Sequence, residues 1–185
     1  MKIRTIAVDI DDVLIGLLDA WLDYLNNKHN LSVKRDMVIN WDMHRVYPTL
    51  TDEELYGVLK EPEFWESVTP LRYARPYLYK LYKENYKIIL VTASHYSTLV
   101  PKFDLVLFAY FNFLNYKDVI VCNDKYLIDA DVLIDDNPEN FVGFKGYKIL
   151  VTAPYNTTCS KDFYDYRVNN LKEAYNVISE LNNLQ

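Results

Sequence analysis

Apolar and polar positions along the chain fall into two alternating patterns. Short unbroken apolar runs stand at Ile6-Ala7-Val8, Ile88-Ile89-Leu90-Val91, Val119-Ile120-Val121, Val132-Leu133-Ile134 and Ile149-Leu150-Val151. Runs this short, rich in β-branched residues and bounded by polar ones, predict strands buried on both faces. Between them, apolar residues recur at helical spacing. One set is Leu17, Leu18, Trp21, Leu22 and Leu25, ended by Asn26, Asn27 and Asn30; a second is Leu78, Leu81 and Tyr82. A third is Leu105, Leu107, Phe108 and Phe111, and the last is Leu171, Ala174, Tyr175, Ile178 and Leu181. Pro76 is placed as the first residue of the second helix, and Pro101 as the opening of the third. Strands alternating with helices predict an α/β fold, a three-layer Rossmann-like parallel sheet with helices on both faces.

The alternation fails between about residues 32 and 69. Thr51 and Glu54 form a capping-box pattern that starts a short helix through Leu55, Val58 and Leu59, and Pro62 and Pro70 punctuate the stretch after it. Residues 16–70 are therefore expected to form a small helical cap, inserted after the first strand, over a core built from residues 1–15 and 71–185. A chain of 185 residues, half of them apolar, can bury such a core.

Composition narrows the partners. A net charge of −6 argues against a nucleic-acid polymer as the main ligand, because phosphate contacts need clustered Lys and Arg. It leaves room for a small anion held by a metal and one or two lysines. Cys122 and Cys159 are too few and too separated for a zinc site and fit a reduced compartment. No apolar run is long enough to cross a membrane, and the chain starts directly in a core strand without a signal peptide. The expectation is a soluble, cytoplasmic protein.

The chemistry gathers where the strands end. Asp9 and Asp11 follow the first strand, and two acids so placed are costly unless a cation or a proton holds them together. Asp12 reads as a loop residue or a helix cap. Thr92, with Ala93 and Ser94 after the second strand, offers a hydroxyl and backbone N–H groups to a phosphoryl oxygen, or equally a helix cap. Lys125, in Asn123-Asp124-Lys125-Tyr126, offers charge neutralisation or is a solvated surface lysine. Asp135-Asp136 directly follows an apolar strand and suits a metal or a charge pair. Hard oxygen donors without His or Cys favour Mg²⁺ over zinc or copper.

In this order, Asp9-Ile10-Asp11-Asp12-Val13-Leu14, Val91-Thr92-Ala93-Ser94, Lys125 and Leu133-Ile134-Asp135-Asp136-Asn137-Pro138 resemble the four motifs of the haloacid dehalogenase superfamily of phosphotransferases. Lys125 followed by Asp131, Leu133 to Asp136 and Pro138, together with Pro62-Glu63-Phe64-Trp65 ahead of Pro70, is similar to the 5'(3')-deoxyribonucleotidases. So is a helical cap of this size between the first two motifs. The likeness runs from Ile3 to about Val151.

That resemblance implies hydrolysis of a nucleoside monophosphate in two steps; the alternatives are a phosphatase of the same superfamily acting on a sugar phosphate or other small phosphometabolite, or a non-catalytic phosphate-binding module. Asp9 would attack phosphorus to form an aspartyl-phosphate, and Asp11 would protonate the leaving oxygen and then activate water. Mg²⁺ would take the Asp9 carboxylate, the Asp11 main-chain carbonyl and Asp136, with Asp135 in support. Thr92, Ala93 and Lys125 would hold the phosphate. Leu17, Trp41, Phe64 and Trp65 are candidate walls for the base, although Phe64 and Trp65 also read as the cap's own core. The pattern departs from the family at Leu17, where an aromatic is expected, and after Thr92, where Ala93-Ser94-His95 replaces a Thr-Ser pair. A homodimer is compatible with this reading.

Overall fold

The computed structural model describes residues 2–184. Six parallel strands form one sheet in the order β3-β2-β1-β4-β5-β6, with β1 Thr5–Asp9, β2 Lys87–Thr92, β3 Val119–Val121, β4 Val132–Asp135, β5 Tyr147–Val151 and β6 Tyr166–Val168. The sixth strand goes beyond the five that the apolar runs predict: Tyr166-Arg167-Val168 is short, half-buried and carries a charge. It still pairs, Val168 in register with Val151.

The helices are α1 Leu17–His29, α2 Asp52–Tyr56, α3 Pro62–Ser67, α4 Ala74–Lys83, α5 Tyr96–Pro101, α6 Phe108–Tyr110 and α7 Leu171–Asn183. The strands alternate their side chains between two apolar clusters. Ile6, Val8, Ile88, Leu90, Val132, Ile134 and Ile149 join the large cluster that holds the apolar faces of α1, α4 and α7. Ala7, Val91, Leu133 and Leu150 meet a smaller one with Ile128, Phe141 and Phe144. The second face is thus covered by short 3-10 turns, Lys125–Leu127 and Pro138–Phe141, in crossovers too short for a full helix.

Two proline placements are corrected. Pro76 is the third residue of α4, still in the first turn, where its missing N–H costs nothing. Pro101 ends α5 rather than opening a helix; α5 starts at Tyr96, with His95 as its cap accepting from Ser97 N–H. Beyond Pro101 the chain widens into a π-helical stretch, Lys102–Leu107. The Thr51–Glu54 capping box is present at α2, and the helix tightens to a 3-10 turn over Gly57–Lys60.

The excursion between β1 and β2 leaves and returns through one neck. Ile15 bridges Pro70, Gly16 N–H donates to Thr69 O at 3.0 Å, and Leu71 N–H to Leu14 O at 2.9 Å. Among the described residues, no helix is long and apolar enough to span a membrane.

Candidate active site

Asp9 is the last residue of β1, between β2 and β4, so its carboxylate emerges at the carboxyl edge where neighbouring strands run apart. The chain then turns sharply. Leu14 and Ile15 N–H both donate to Ile10 O, and Asp12 adopts φ 52°, a left-handed conformation that Asp tolerates better than most residues. This turn keeps Asp11 beside Asp9. It also buries Asp12, whose carboxylate accepts from Leu18 N–H at 3.1 Å and pairs with Arg35 at 3.3 Å. Asp12 is therefore more than a loop residue: it pins the start of α1 and holds the arginine of the Arg35–Met37 turn.

β4 delivers Asp135 and Asp136, and their environments differ. Asp135 accepts from Lys125 Nζ at 2.6 Å, from Asn137 N–H at 2.9 Å and from Asn140 Nδ2 at 2.9 and 3.0 Å. Asp136 Oδ2 accepts from the Tyr155 hydroxyl. Lys125 is buried, not solvated, because the 3-10 turn after Asp124 points its ammonium inward to Asp9 and Asp135. Thr92 is also buried; its hydroxyl lies 2.8 Å from Ser94 Oγ, and the helix cap that it could have been is His95.

Lys102 belongs to none of the sequence motifs. Fully buried, it donates to Asp11 Oδ2 at 2.6 Å, Ser94 Oγ at 2.7 Å and Thr92 Oγ1 at 3.0 Å. A lysine at the head of an apolar stretch reads as the polar side of a helix. It reaches the site from the junction of α5 and the π-helical stretch Lys102–Leu107.

Burial dominates the electrostatics. It pushes Asp9 up to about 7; Lys125 opposes the shift, and Asp135 and Asp11 add to it. Burial raises Asp136 well above the usual carboxylate range, with Asp9 and Asp135 contributing. For Lys125 burial acts downward, but Asp9 and Asp135 outweigh it and the ammonium is held protonated.

The cleft at this edge holds about 370 Å³ and is lined by Asp9, Asp11, Lys125 and Asp136 at its floor, Ala93, Ser94 and His95 on one side, and Leu17, Trp41 and Trp65 above. Phe64 does not reach it. Its ring packs edge-on against Tyr24 at 5.9 Å and Trp65 at 5.3 Å inside the helical segment, because α3 turns that face toward α1. Trp65 touches the cleft while its indole N–H donates to Leu59 O at 2.8 Å. The Trp41 ring meets Tyr155 at a tilt, ring centroids 4.4 Å apart.

Residues 2–184 match the family model described as "5' nucleotidase, deoxy (Pyrimidine), cytosolic type C protein". The chain belongs to this family. Relatives named 5'(3')-deoxyribonucleotidase include one from Clostridium acetobutylicum, 31% identical over 156 residues (84% of this chain, 86% of the relative). Another, from Bacillus subtilis, is 31% identical over 154 residues, covering 83% and 87%. As a member of the deoxyribonucleotidase family the chain is a phosphoric monoester hydrolase.

Solved structures agree in fold. A haloacid dehalogenase family hydrolase from Deinococcus radiodurans, solved with bound phosphate and sodium, superposes with TM-score 0.67 at 13% identity, covering 97% of this chain and 96% of that one. The hydrolase YfnB from Bacillus subtilis, solved bound to magnesium, gives 0.61 at 18% identity, covering 97% and 100%. The deoxyribonucleotidase family sequence therefore sits on a haloacid dehalogenase fold.

The donor set suits a hard divalent cation. Asp9, Asp135 and Asp136 bring carboxylate oxygens within 4.8 Å of one another, all buried. Among the described residues Lys125 pairs with Asp9 and Asp135, Lys102 with Asp11, and Arg35 with Asp12 and Asp19, while Asp136 is in no ion pair. Oxygen donors without nitrogen or sulfur favour Mg²⁺ chemistry over zinc.

Proposed function

We propose that this deoxyribonucleotidase-family hydrolase cleaves (deoxy)ribonucleoside monophosphates to nucleoside and phosphate, with Mg²⁺ and through an aspartyl-phosphate on Asp9. The observation that carries the reading is the pairing of two acids with unequal partners at the floor of one cleft. Asp9 meets Lys125, and Asp11 meets Lys102 and Ser94. This difference supports a reading in which one carboxylate attacks phosphorus and the other handles protons.

Asp9 attacks phosphorus and the bond to the nucleoside oxygen breaks, while Asp11 supplies the proton to that oxygen. Asp11 then takes a proton from the water that attacks the aspartyl-phosphate, which restores Asp9 and releases phosphate. Lys125, with the backbone N–H of Ala93, holds the phosphoryl oxygens and offsets the repulsion between carboxylate and phosphate. Asp9, Asp136 and the Asp11 main-chain carbonyl would hold Mg²⁺, which supplies further charge for those oxygens. Asp135 serves Lys125 instead, since its oxygens already accept four hydrogen bonds from Lys125, Asn137 and Asn140.

Residues 16–70 act as a cap that closes the mouth, and Leu17, Trp41 and Trp65 face the base. Phosphate release from a panel of deoxy- and ribonucleotides and sugar phosphates, with Mg²⁺ and with EDTA, tests the reading. Mg²⁺-dependent release from nucleotides in preference to sugar phosphates is expected. Activity that survives EDTA, or that favours sugar phosphates, overturns it.

A further inference from the structure

Tyr155 contacts two residues that line the cleft, Asp136 and Trp41. It lies on the 3-10 turn Pro154–Asn156, which is bolted to the end of β4: Asn156 Nδ2 donates to Asp136 O at 2.6 Å and to Val151 O at 2.7 Å. Ala153 N–H and Arg167 Nη1 both donate to Asn156 Oδ1, at 3.1 and 3.0 Å. The turn therefore has little freedom relative to Asp136. From this platform the Tyr155 hydroxyl donates to Asp136 Oδ2, while its ring meets the Trp41 indole at a 42° tilt. Trp41 itself sits on irregular backbone, outside any helix or strand, so Tyr155 supplies a rigid surface that its loop lacks.

We propose that Tyr155 is a positioning residue that ties the base-facing wall of the cleft to the metal-facing carboxylate. Its hydroxyl fixes the Asp136 carboxylate with one oxygen engaged and the other free for a cation. Its ring fixes the plane of Trp41. A residue that orients a metal-ligating carboxylate typically changes metal affinity or activity by about 10- to 100-fold when it is lost. The two contacts use different parts of one side chain, so they can be separated.

The inference rests on the function proposed above, and its test keeps the two apart. Mg²⁺ binding to the nucleotide-free protein is measured by calorimetry, and KM for a deoxynucleotide at saturating Mg²⁺ by phosphate release. Tyr155→Phe keeps the ring and the volume and loses only the hydroxyl, so the Mg²⁺ Kd should rise about tenfold with KM little changed. Tyr155→Leu loses both contacts, so the same rise in Kd should come with a KM at least about fivefold higher, the low end of a base-stacking loss. A Tyr155→Phe protein whose Mg²⁺ Kd stays within twofold of wild type overturns the inference. So does a Tyr155→Leu protein whose KM equals that of Tyr155→Phe. Wild-type protein that binds no Mg²⁺ overturns the functional reading first, and this inference with it.

Discussion

Lys102 Nζ lies 2.6 Å from Asp11 Oδ2, and Lys102 is wholly buried. The same ammonium reaches Thr92 and Ser94, so one cation joins the turn after β1 to the turn after β2. It gets there through the π-helical stretch beyond Pro101. Widened helical turns of this kind recur at functional sites. Asp11 Oδ1 has no hydrogen-bond partner although it is buried, so the aim of this carboxylate depends on Lys102 and Ser94 through the other oxygen.

Lys102→Met should therefore disorient Asp11 and lower kcat by about 100-fold, the low end of what a positioned acid–base group contributes. KM should change less than kcat, because Lys125 still faces the phosphate while the Thr92 turn loses the Lys102 contacts. Steady-state kinetics with far-UV circular dichroism as a folding control checks it. A kcat within threefold of wild type would show that Lys102 only fills space.

Asp9→Asn should leave the fold intact and reduce turnover below about a hundredth of wild type, since an amide is a poor nucleophile. Acid-quenched wild-type enzyme, mixed with radiolabelled substrate, should carry label on the protein, and the variant should not. Label on both would place the covalent step elsewhere.

The sheet and its acidic edge were legible because buried parallel strands write themselves as apolar runs, and the acids just past them have nowhere else to go. Asp9, Asp11, Asp135 and Asp136 could be read off in this way. β6 could not, because an edge strand need not be apolar on both faces. Asp131, which belongs to the same string of residues, serves the opposite edge of the sheet: it accepts from Arg4 and Thr5 N–H and fixes the start of β1. Lys102, Tyr155 and Arg35 stayed hidden for a common reason. Each reaches the site by tertiary contact from a segment whose local pattern says something else. Phe64 has two readings in the sequence, cleft wall or core of the helical segment, and it takes the second, because an aromatic beside Trp65 can face the other way on a short helix.

Metal and pH should be coupled through the buried acids. Burial pushes Asp9 and Asp12 each up to about 7, against about 3.9 for a free Asp, and Asp136 is raised too. Between those values the folded protein binds more protons than the unfolded chain, so these groups stabilise it at low pH and that contribution is lost as pH rises through about 7. Exposed carboxylates such as Glu54, held low by Thr51, act in the opposite direction, and a comparison with and without cation removes that background. Millimolar Mg²⁺ should raise Tm more at about pH 7.5 than at about pH 5.5, because metal and protons compete for the same oxygens. Thermal melts in EDTA and in Mg²⁺ at both values decide it. An equal shift at both would mean that the cation binds away from these acids.

Trp41 offers the sharpest test of what the cleft accepts. It lines the cleft with Asp9 and Asp136, and its half-buried ring packs against Tyr155 and against the edge of the apolar core. If the base stacks on it, Trp41→Ala should weaken kcat/KM for nucleotides by about 1–3 kcal/mol, or roughly 5- to 150-fold. A base-free substrate such as an aryl phosphate meets the phosphate-binding groups without meeting Trp41, so its kcat/KM should stay within a few-fold. Tyr155 complicates the measurement, because losing the indole uncovers the ring behind it. The double variant with Tyr155→Phe resolves this: it leaves that ring in place, and its nucleotide loss should equal the sum of the two single losses if Trp41 contacts the base directly. An equal loss on both substrates would instead mean that Trp41 acts by holding the turn of Tyr155, and with it Asp136, in place.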